Sequence, residues 1–225
     1  MSIPPPSRDP ADWAARLRAI AAPELSGTPL GDPPQGDAGV FAEGFADERG
    51  DRRAVDAPLL AHMLGLPGSG QVAGPTGDVR LWSALGVESP DPLSMVAPRS
   101  EADPSPLLPD EKGIAIEAWT ESELCALHAL AHHASRANST MSGRLWERCR
   151  DAASYHMAEL QPDNATNHPW SIGVFLWIWC DEGLHEARLH GETLLHNCIA
   201  GSARADRFSA CVLLDAARWL DARPS

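Results

Sequence analysis

The sequence has no long apolar run. The longest, Ile172 to Cys180, is nine residues and includes Gly173, whereas a helix that spans a bilayer needs roughly 20. The first residues contain no basic segment followed by an apolar core, so we expect no secretory signal. The acidic balance of the chain also disfavours docking on an anionic membrane surface. We therefore predict no membrane partner.

Basic residues are scarce as well. The chain has 18 Lys and Arg against 31 Asp and Glu, a formal net charge of −13. Binding to a nucleic-acid backbone depends on clustered Lys and Arg that replace its counterions. We therefore predict no nucleic-acid partner.

The cysteines are odd in number and lack the spacing of known sites. There are five, none in a Cys-x-x-Cys pair, which is typical of a reducing compartment where thiols are small core residues. Each lies on an apolar stripe, which favours a buried, inert thiol over a nucleophile. We predict a cytoplasmic protein.

Motifs that bind nucleotides or perform hydrolysis are also missing. The sequence has no Gly-x-Ser-x-Gly and no His-Glu-x-x-His, and the glycine-rich stretch from Gly65 to Gly70 lacks the Lys of a P-loop. No cofactor is predicted from these patterns.

What is present divides the chain in two. Residues 1–115 hold 17 of the 20 prolines and 13 of the 18 glycines, whereas residues 116–225 hold all five cysteines, eight of nine histidines and six of eight tryptophans. We predict an irregular, acidic, Pro/Gly-rich arm over 1–115 and an all-α domain over 116–225.

Short helices are predicted within the arm. One begins at Pro10 and ends at Pro23, and it either packs on the C-terminal domain or serves as a tethered motif for another protein. Two others run from Asp56 to Gly65 and from Asp78 to Gly86. Residues 24–50 hold few large apolar side chains, so we expect them to be mobile or irregularly wrapped over the surface.

Five helices are predicted in the second half, from apolar positions three and four residues apart. Thr120 and Glu123 form a capping box that would start the first helix. Residues 168–180 are apolar on every face and could form a strand, but the lack of a partner strand favours a buried helix. Short loops make such helices antiparallel neighbours, so we predict a domain of helical hairpins.

The run from Ala153 to Asp163, followed by Trp170, resembles the Gln-Trp repeat of α/α-toroid proteins such as terpenoid cyclases and prenyltransferases. In that repeat a helix ends with a Gln and an acid, here Gln161 and Asp163, before a Trp that starts the next helix. The resemblance implies a bundle or a partial α/α toroid. The Asp-x-Asp-Asp motif of squalene-type cyclases is absent, so cyclase chemistry is not implied.

A closed toroid uses about six hairpins, and this domain has two and a half. Its open apolar flanks must be covered by the arm or by another chain. We expect four tryptophans at such a seam: Trp13, Trp82, Trp177 and Trp179.

Three side chains on one predicted helix face could hold a metal. Cys125, His128 and His132 lie at i, i+3 and i+7 and offer a thiol and two imidazoles to zinc. The alternative is that these histidines are hydrogen-bonded at a helix interface. Glu182 and His185 match the Glu-x-x-His of di-iron bundles, but no second copy exists.

The link between the second and third helices is unusually polar. Its side chains could cap helix ends, or they could line a site for an anionic or hydroxyl-rich ligand. The candidates are Asp163, Asn164, Asn167, His168 and Trp170.

Two function classes remain open. The leading hypothesis is an interaction or scaffold module with a protein partner or self-association. The alternative is an enzyme in which four histidines converge with the polar link on a pocket that could bind a metal. These histidines are His128, His132, His156 and His185.

Overall fold

The structure, a computed structural model, describes residues 7–32, 37–67, 70–88, 90–100, 103–109, 113–160, 168–200 and 204–223. Within these residues every regular element is helical and there is no strand, as predicted. None of the helices described is both long and apolar enough to cross a membrane. Besides a 3₁₀ turn at Pro92–Met95, the helices are α1 (Pro10–Leu25), α2 (Ala38–Gly44), α3 (Asp56–Leu64), α4 (Gly77–Ala84), α5 (Ile116–Arg136), α6 (Ser139–Glu159), α7 (Ile172–Glu182), α8 (His185–Ala200) and α9 (Arg207–Asp221).

Helices pack in pairs, as the hairpin prediction requires. The pairs α5–α6 and α7–α8 are consecutive in the chain and in contact. The fifth helix of the C-terminal half, α9, packs most extensively against α1 of the arm. Arg18 pairs with Asp221 and Glu24 pairs with Arg204, so α1 and α9 run antiparallel. The predicted α3 and α4 are also confirmed, and α3 ends at Gly65 in the left-handed conformation.

The most apolar helix, α7, lies at the centre of these pairs. Residues 168–180 therefore include a buried helix, and not a strand. A Cβ placed at Gly173 would come within 3.4 Å of Trp219 and Ala216. The missing side chain thus allows α7 and α9 to approach closely.

The arm contributes to the same core. Trp13, Leu17, Leu30 and Phe45 are all buried in it. The expectation that residues 24–50 are mobile or irregular is wrong for α2, whose first turn is capped by Asp37. A few large apolar side chains are enough when they dock on a surface that the C-terminal helices already form.

The first helix does not end at Pro23. It continues to Leu25, so Pro23 lies inside its last turn. Both Pro23 and Ala19, whose carbonyl loses its hydrogen bond, are exposed. Water can satisfy that carbonyl, which reduces the usual cost of an interior proline.

The predicted capping box is also wrong. α5 begins at Ile116, one turn before Thr120. Glu123 is fully buried, and its carboxylate accepts hydrogen bonds from the backbone amides of Leu107 and Leu108, the latter at 2.6 Å. This acid therefore ties the preceding segment to α5 instead of capping the helix.

Two of the four seam tryptophans meet at Ser7 of the arm, Trp13 from the arm itself and Trp179 from α7. The indole N–H groups of Trp13 and Trp179 both donate to the carbonyl of Ser7, at 3.0 and 2.8 Å. Trp82 belongs to the arm and is buried against α5, whereas Trp177 packs against Trp146 and Trp219.

Candidate functional site

A buried carboxylate stands at the centre of the candidate site. Asp215 lies in α9 among apolar neighbours and is only 3% exposed. An ionised carboxylate without partners costs several kcal/mol in such surroundings. The groups around Asp215 therefore decide what this part of the core can do.

Three imidazoles surround this carboxylate. His132 Nε2 lies 2.7 Å and His128 Nε2 3.2 Å from Oδ2 of Asp215. His62 Nε2 lies 3.8 Å from the other oxygen, Oδ1. His128 and His132 are one turn apart on α5 with stacked rings, and His62 comes from α3, its ring centroid 4.4 Å from that of His132.

Hydrogen bonds on the far side of two rings fix their tautomers. Arg136 donates to Nδ1 of His62 at 3.0 Å, and the amide of Ser171 donates to Nδ1 of His128 at 3.4 Å. A guanidinium and an amide can only donate, so both Nδ1 atoms are acceptors. The proton of each neutral ring is therefore on Nε2, which faces Asp215.

The pKa values set the charge of this group. Burial lowers the pKa of His62 to about 3 and also lowers the pKa of His128. Burial opposes ionisation of Asp215, but His132 and His128 outweigh it and hold the pKa of this carboxyl well below its usual value. Neutral imidazole and ionised carboxylate are the forms that bind metal ions.

Backbone strain supports the position of His128. Ser171 has φ of 57°, the only positive φ at a non-glycine residue in the part of the chain that the structure describes. Its amide bonds His128, and its hydroxyl donates to the carbonyl of Leu124 at 2.6 Å. Strained residues of this kind cluster at functional sites.

His62 connects the buried group to a pocket of about 380 Å³. Its side chain is 11% exposed, the largest fraction among the three histidines. Trp82 and Arg136 also line this pocket. The Trp82 ring lies 5.5 to 5.7 Å from all three imidazole rings, so it forms an aromatic wall beside them.

Three of these groups have the geometry of a metal site. Three possible ligand atoms, one each from His62, His132 and Asp215, lie within 4.8 Å of one another. This is the only such group of His, Cys, Asp or Glu side chains in the described residues. Ligands bound at about 2.0–2.2 Å stand roughly 3–3.6 Å apart, so the most distant of these atoms would have to approach one another by about 1 Å to share an ion. His128 would then hold Asp215 as an outer partner.

Two predicted site residues meet here and a third adjoins them. His128 and His132 lie at the centre, and the Trp170 ring is 5.7 Å from His128. Cys125 lies one turn earlier on α5, and its Sγ accepts a hydrogen bond from the Trp82 indole at 3.3 Å. The thiol is therefore outside the metal-ligand group.

The other candidates lie elsewhere, which corrects the expectation of four converging histidines. His156 is buried near Glu123 and His190. His185 contacts Trp179 and Arg188 at the start of α8, and His168 contacts Arg53 and Ser209. Asp163, Asn164 and Asn167 lie outside the described residues.

Sequence reasoning missed Asp215 and His62. Asp215 is four residues from both Cys211 and Trp219, so it falls on the apolar stripe of α9. An acid on such a stripe is a signal of a buried partner. His62 offers no comparable signal, since only the tertiary fold brings α3 to α5.

No family model matches this chain, and neither does any curated protein or solved structure.

Proposed function

We propose that this protein is a metal-dependent enzyme with one divalent transition-metal ion, zinc in the first place, held by His62, His132 and Asp215. The observation that carries this proposal is the meeting of two imidazole nitrogens and a carboxylate oxygen beside a pocket that one of the three residues, His62, lines. It corresponds to the enzyme alternative that the sequence left open.

The number of ligands favours catalysis over a structural role. Structural zinc sites use four protein ligands, whereas catalytic sites use three and keep a position for water or substrate. A zinc ion held in this way would lower the pKa of a bound water toward neutrality and would so supply a nucleophile. Hydrolysis is the reaction class that this arrangement fits best.

Arg136 links metal binding to substrate binding. Coordination through Nε2 of His62 requires the ring proton to move to Nδ1, and Nδ1 then no longer accepts from Arg136. Arg136 is exposed and lines the same pocket, so the nitrogen that leaves His62 can donate to a ligand while the other still donates to the Leu85 carbonyl. We infer a substrate that carries a negative charge, such as a phosphate or carboxylate group.

The interaction-module hypothesis has weaker support. The exposed large apolar side chains are spread over separate segments: Val40, Val72, Ile114, Ile116, Leu184 and Leu189. A protein-binding surface is expected to gather such side chains into one patch.

Metal binding can be measured directly. Protein stripped of metal with a chelator is titrated with Zn²⁺ by calorimetry, and one equivalent is expected to bind. His62→Ala should weaken binding about 100-fold or more, because loss of an outer partner alone costs 10–100-fold. The reaction is then followed as zinc-dependent hydrolysis of p-nitrophenyl phosphate and p-nitrophenyl acetate.

The matched control is His185→Ala, which removes a histidine outside the described metal group. It should bind zinc as the wild type does. Absence of stoichiometric binding, or equal binding by the two variants, would overturn the metal centre. Zinc binding without hydrolysis of either ester would retain the centre and reject this reaction class.

A further inference from the structure

A second cavity includes in its lining Cys125, the thiol that accepts the hydrogen bond from the Trp82 indole. It measures about 490 Å³ and is lined by residues of the arm, of α4, of α5 and of the segment before α7. Its charged side chains are Arg53, Asp78, Glu117 and Glu121. The Trp170 indole forms part of its wall.

The single cation of this set is already matched by acids outside the cavity. Arg53 pairs with Asp47 at 3.1 Å and with Asp56 at 3.9 Å. The same guanidinium donates to Nε2 of His168 at 2.9 Å. The ion pairs of Arg53 are therefore with Asp47 and Asp56, and its charge acts on Glu121 only from a distance, where it helps to lower the pKa of that carboxyl.

Asp78 is the clearest sign that a partner is missing. It is only 6% exposed, and its Oδ1 atom is buried without a hydrogen-bond donor among the residues described. The Cys125 thiol interacts with Asp78, and burial together with this carboxylate raises the pKa of the thiol, but an S–H group is only a weak donor. A buried carboxylate oxygen without a donor costs several kcal/mol unless a ligand provides one.

Glu121 presents a second carboxyl group to the cavity. Its Oε1 accepts from the Trp170 indole at 3.1 Å and lies 4.0 Å from Nε2 of His168. Burial raises the pKa of Glu121 to about 7, although the bond from Trp170 acts in the opposite direction. At neutral pH this group is therefore ionised for only part of the time.

We propose that this cavity binds a small organic cation with N–H donors, an alkylammonium compound, with Asp78 as the main partner and Glu121 as the second. An ammonium group supplies the donor that Asp78 lacks and balances its charge. The Trp170 indole, which lines the cavity, is a favourable neighbour for such a cation. The proposal does not depend on the metal centre, with which it shares no ligand.

A metal ion is a poorer occupant of this cavity. No three of its His, Cys, Asp and Glu side chains come close enough together to hold one, within the portion of the chain described. An anionic ligand would face the unpaired oxygen of Asp78. The amine is the occupant that the charges and donors favour.

Calorimetric titration of the full chain with 1,4-diaminobutane tests the proposal, with tetramethylammonium and 1-butanol as comparison ligands. The diamine should bind in a saturable manner. Tetramethylammonium has charge but no N–H donor and butanol has no charge, so both should bind at least about tenfold more weakly. A parallel titration that follows tryptophan fluorescence reports the contact with Trp170.

Matched variants locate the site. Asp78→Asn should weaken diamine binding about tenfold or more, and Glu121→Gln about two- to threefold because Glu121 is only partly ionised. Glu117→Gln removes a charge at the exposed rim and should leave affinity within about twofold. Thermal melting of each variant confirms that it is folded.

Three results would overturn the proposal: no diamine binding, equal binding of butanol, or equal affinity of the wild type and both cavity variants Asp78→Asn and Glu121→Gln. The last result would mean that the amine associates with the acidic surface alone. Because zinc binding is measured separately, failure here leaves the metal proposal untouched.

Discussion

Two buried aspartates of this protein have opposite surroundings. Asp215 in α9 is 3% exposed and Asp78 in α4 is 6% exposed. Three imidazoles of α3 and α5 face the carboxylate of Asp215. In contrast, Oδ1 of Asp78 lacks a donor in the described part of the protein and borders a cavity.

The difference shows that a buried charge can be stabilised from inside the fold or left for a ligand. Internal donors make Asp215 part of the core, so its removal should harm folding. The missing donor at Asp78 means that folding bears a cost, which only a bound cation relieves. Stability measurements on the two residues should therefore give opposite signs.

The largest effect is expected at Asp215. Asp215→Asn keeps the size of the side chain but places an NH₂ group, or an uncharged oxygen, before the N–H groups of His128 and His132. The free energy of unfolding should fall by about 3 kcal/mol or more, since two hydrogen bonds to a charged group are lost and each typically contributes about 1.5–3 kcal/mol. Urea-induced unfolding followed by circular dichroism measures this loss.

A surface aspartate of the same helix is the control. Asp221 pairs with Arg18 where both side chains are more than 40% exposed, so Asp221→Asn should change stability by less than about 1 kcal/mol. Equal losses in the two variants would mean that the imidazoles do not stabilise Asp215.

Most of the fold could be predicted because its elements repeat apolar residues with helical spacing. The errors arose where a long-range contact outweighed a local pattern. Thr120 and Glu123 have the spacing of a capping box, but Glu123 serves the amides of Leu107 and Leu108 instead. The few apolar residues of the arm, such as Leu30 and Phe45, pack into the core that helices far away in the sequence form.

The candidate site could be predicted only in part, for the same reason. His128 and His132 share a helix face at a spacing that the sequence displays. Their partners Asp215 and His62 come from α9 and α3, and no local sequence pattern predicts that these helices contact α5 at this point. The convergence of His156 and His185 was expected from residue type alone, which carries no information on position.

The second-largest change in stability is expected at His190, whose pKa is set by burial and by another histidine and not by a carboxylate. His190 is buried, stacks on Phe175 at 4.2 Å, and has an Nε2 atom without a partner among the described residues. Burial, with nearby His156, lowers its pKa to about 3. Between pH 6.5 and 3 the imidazole is therefore protonated in the unfolded chain but neutral in the folded chain. The free energy of unfolding consequently falls as the pH is lowered through this range.

His190→Gln should remove this contribution. Between pH 7 and pH 5 the wild type should lose about 2 kcal/mol more of its unfolding free energy than the variant does. Urea unfolding at the two pH values gives the difference, and His185→Gln, at the start of α8 outside this cluster, is the control variant. An unchanged slope in His190→Gln would show that His190 takes up a proton in the folded protein.

The smallest effect, and the one with the opposite sign, is expected at Asp78. This residue lies in the first turn of α4, where a negative charge gains about 0.3–1 kcal/mol from the helix dipole. The cost of an unpaired buried carboxylate exceeds that gain, so without an amine Asp78→Asn should raise the free energy of unfolding by about 1 kcal/mol. Urea unfolding with and without 1,4-diaminobutane measures the stability of each protein with and without the cation. The amine should stabilise the wild type, and the variant should respond far less.

A variant less stable than the wild type in amine-free buffer would mean that the fold itself already satisfies Asp78, and the contrast with Asp215 would disappear.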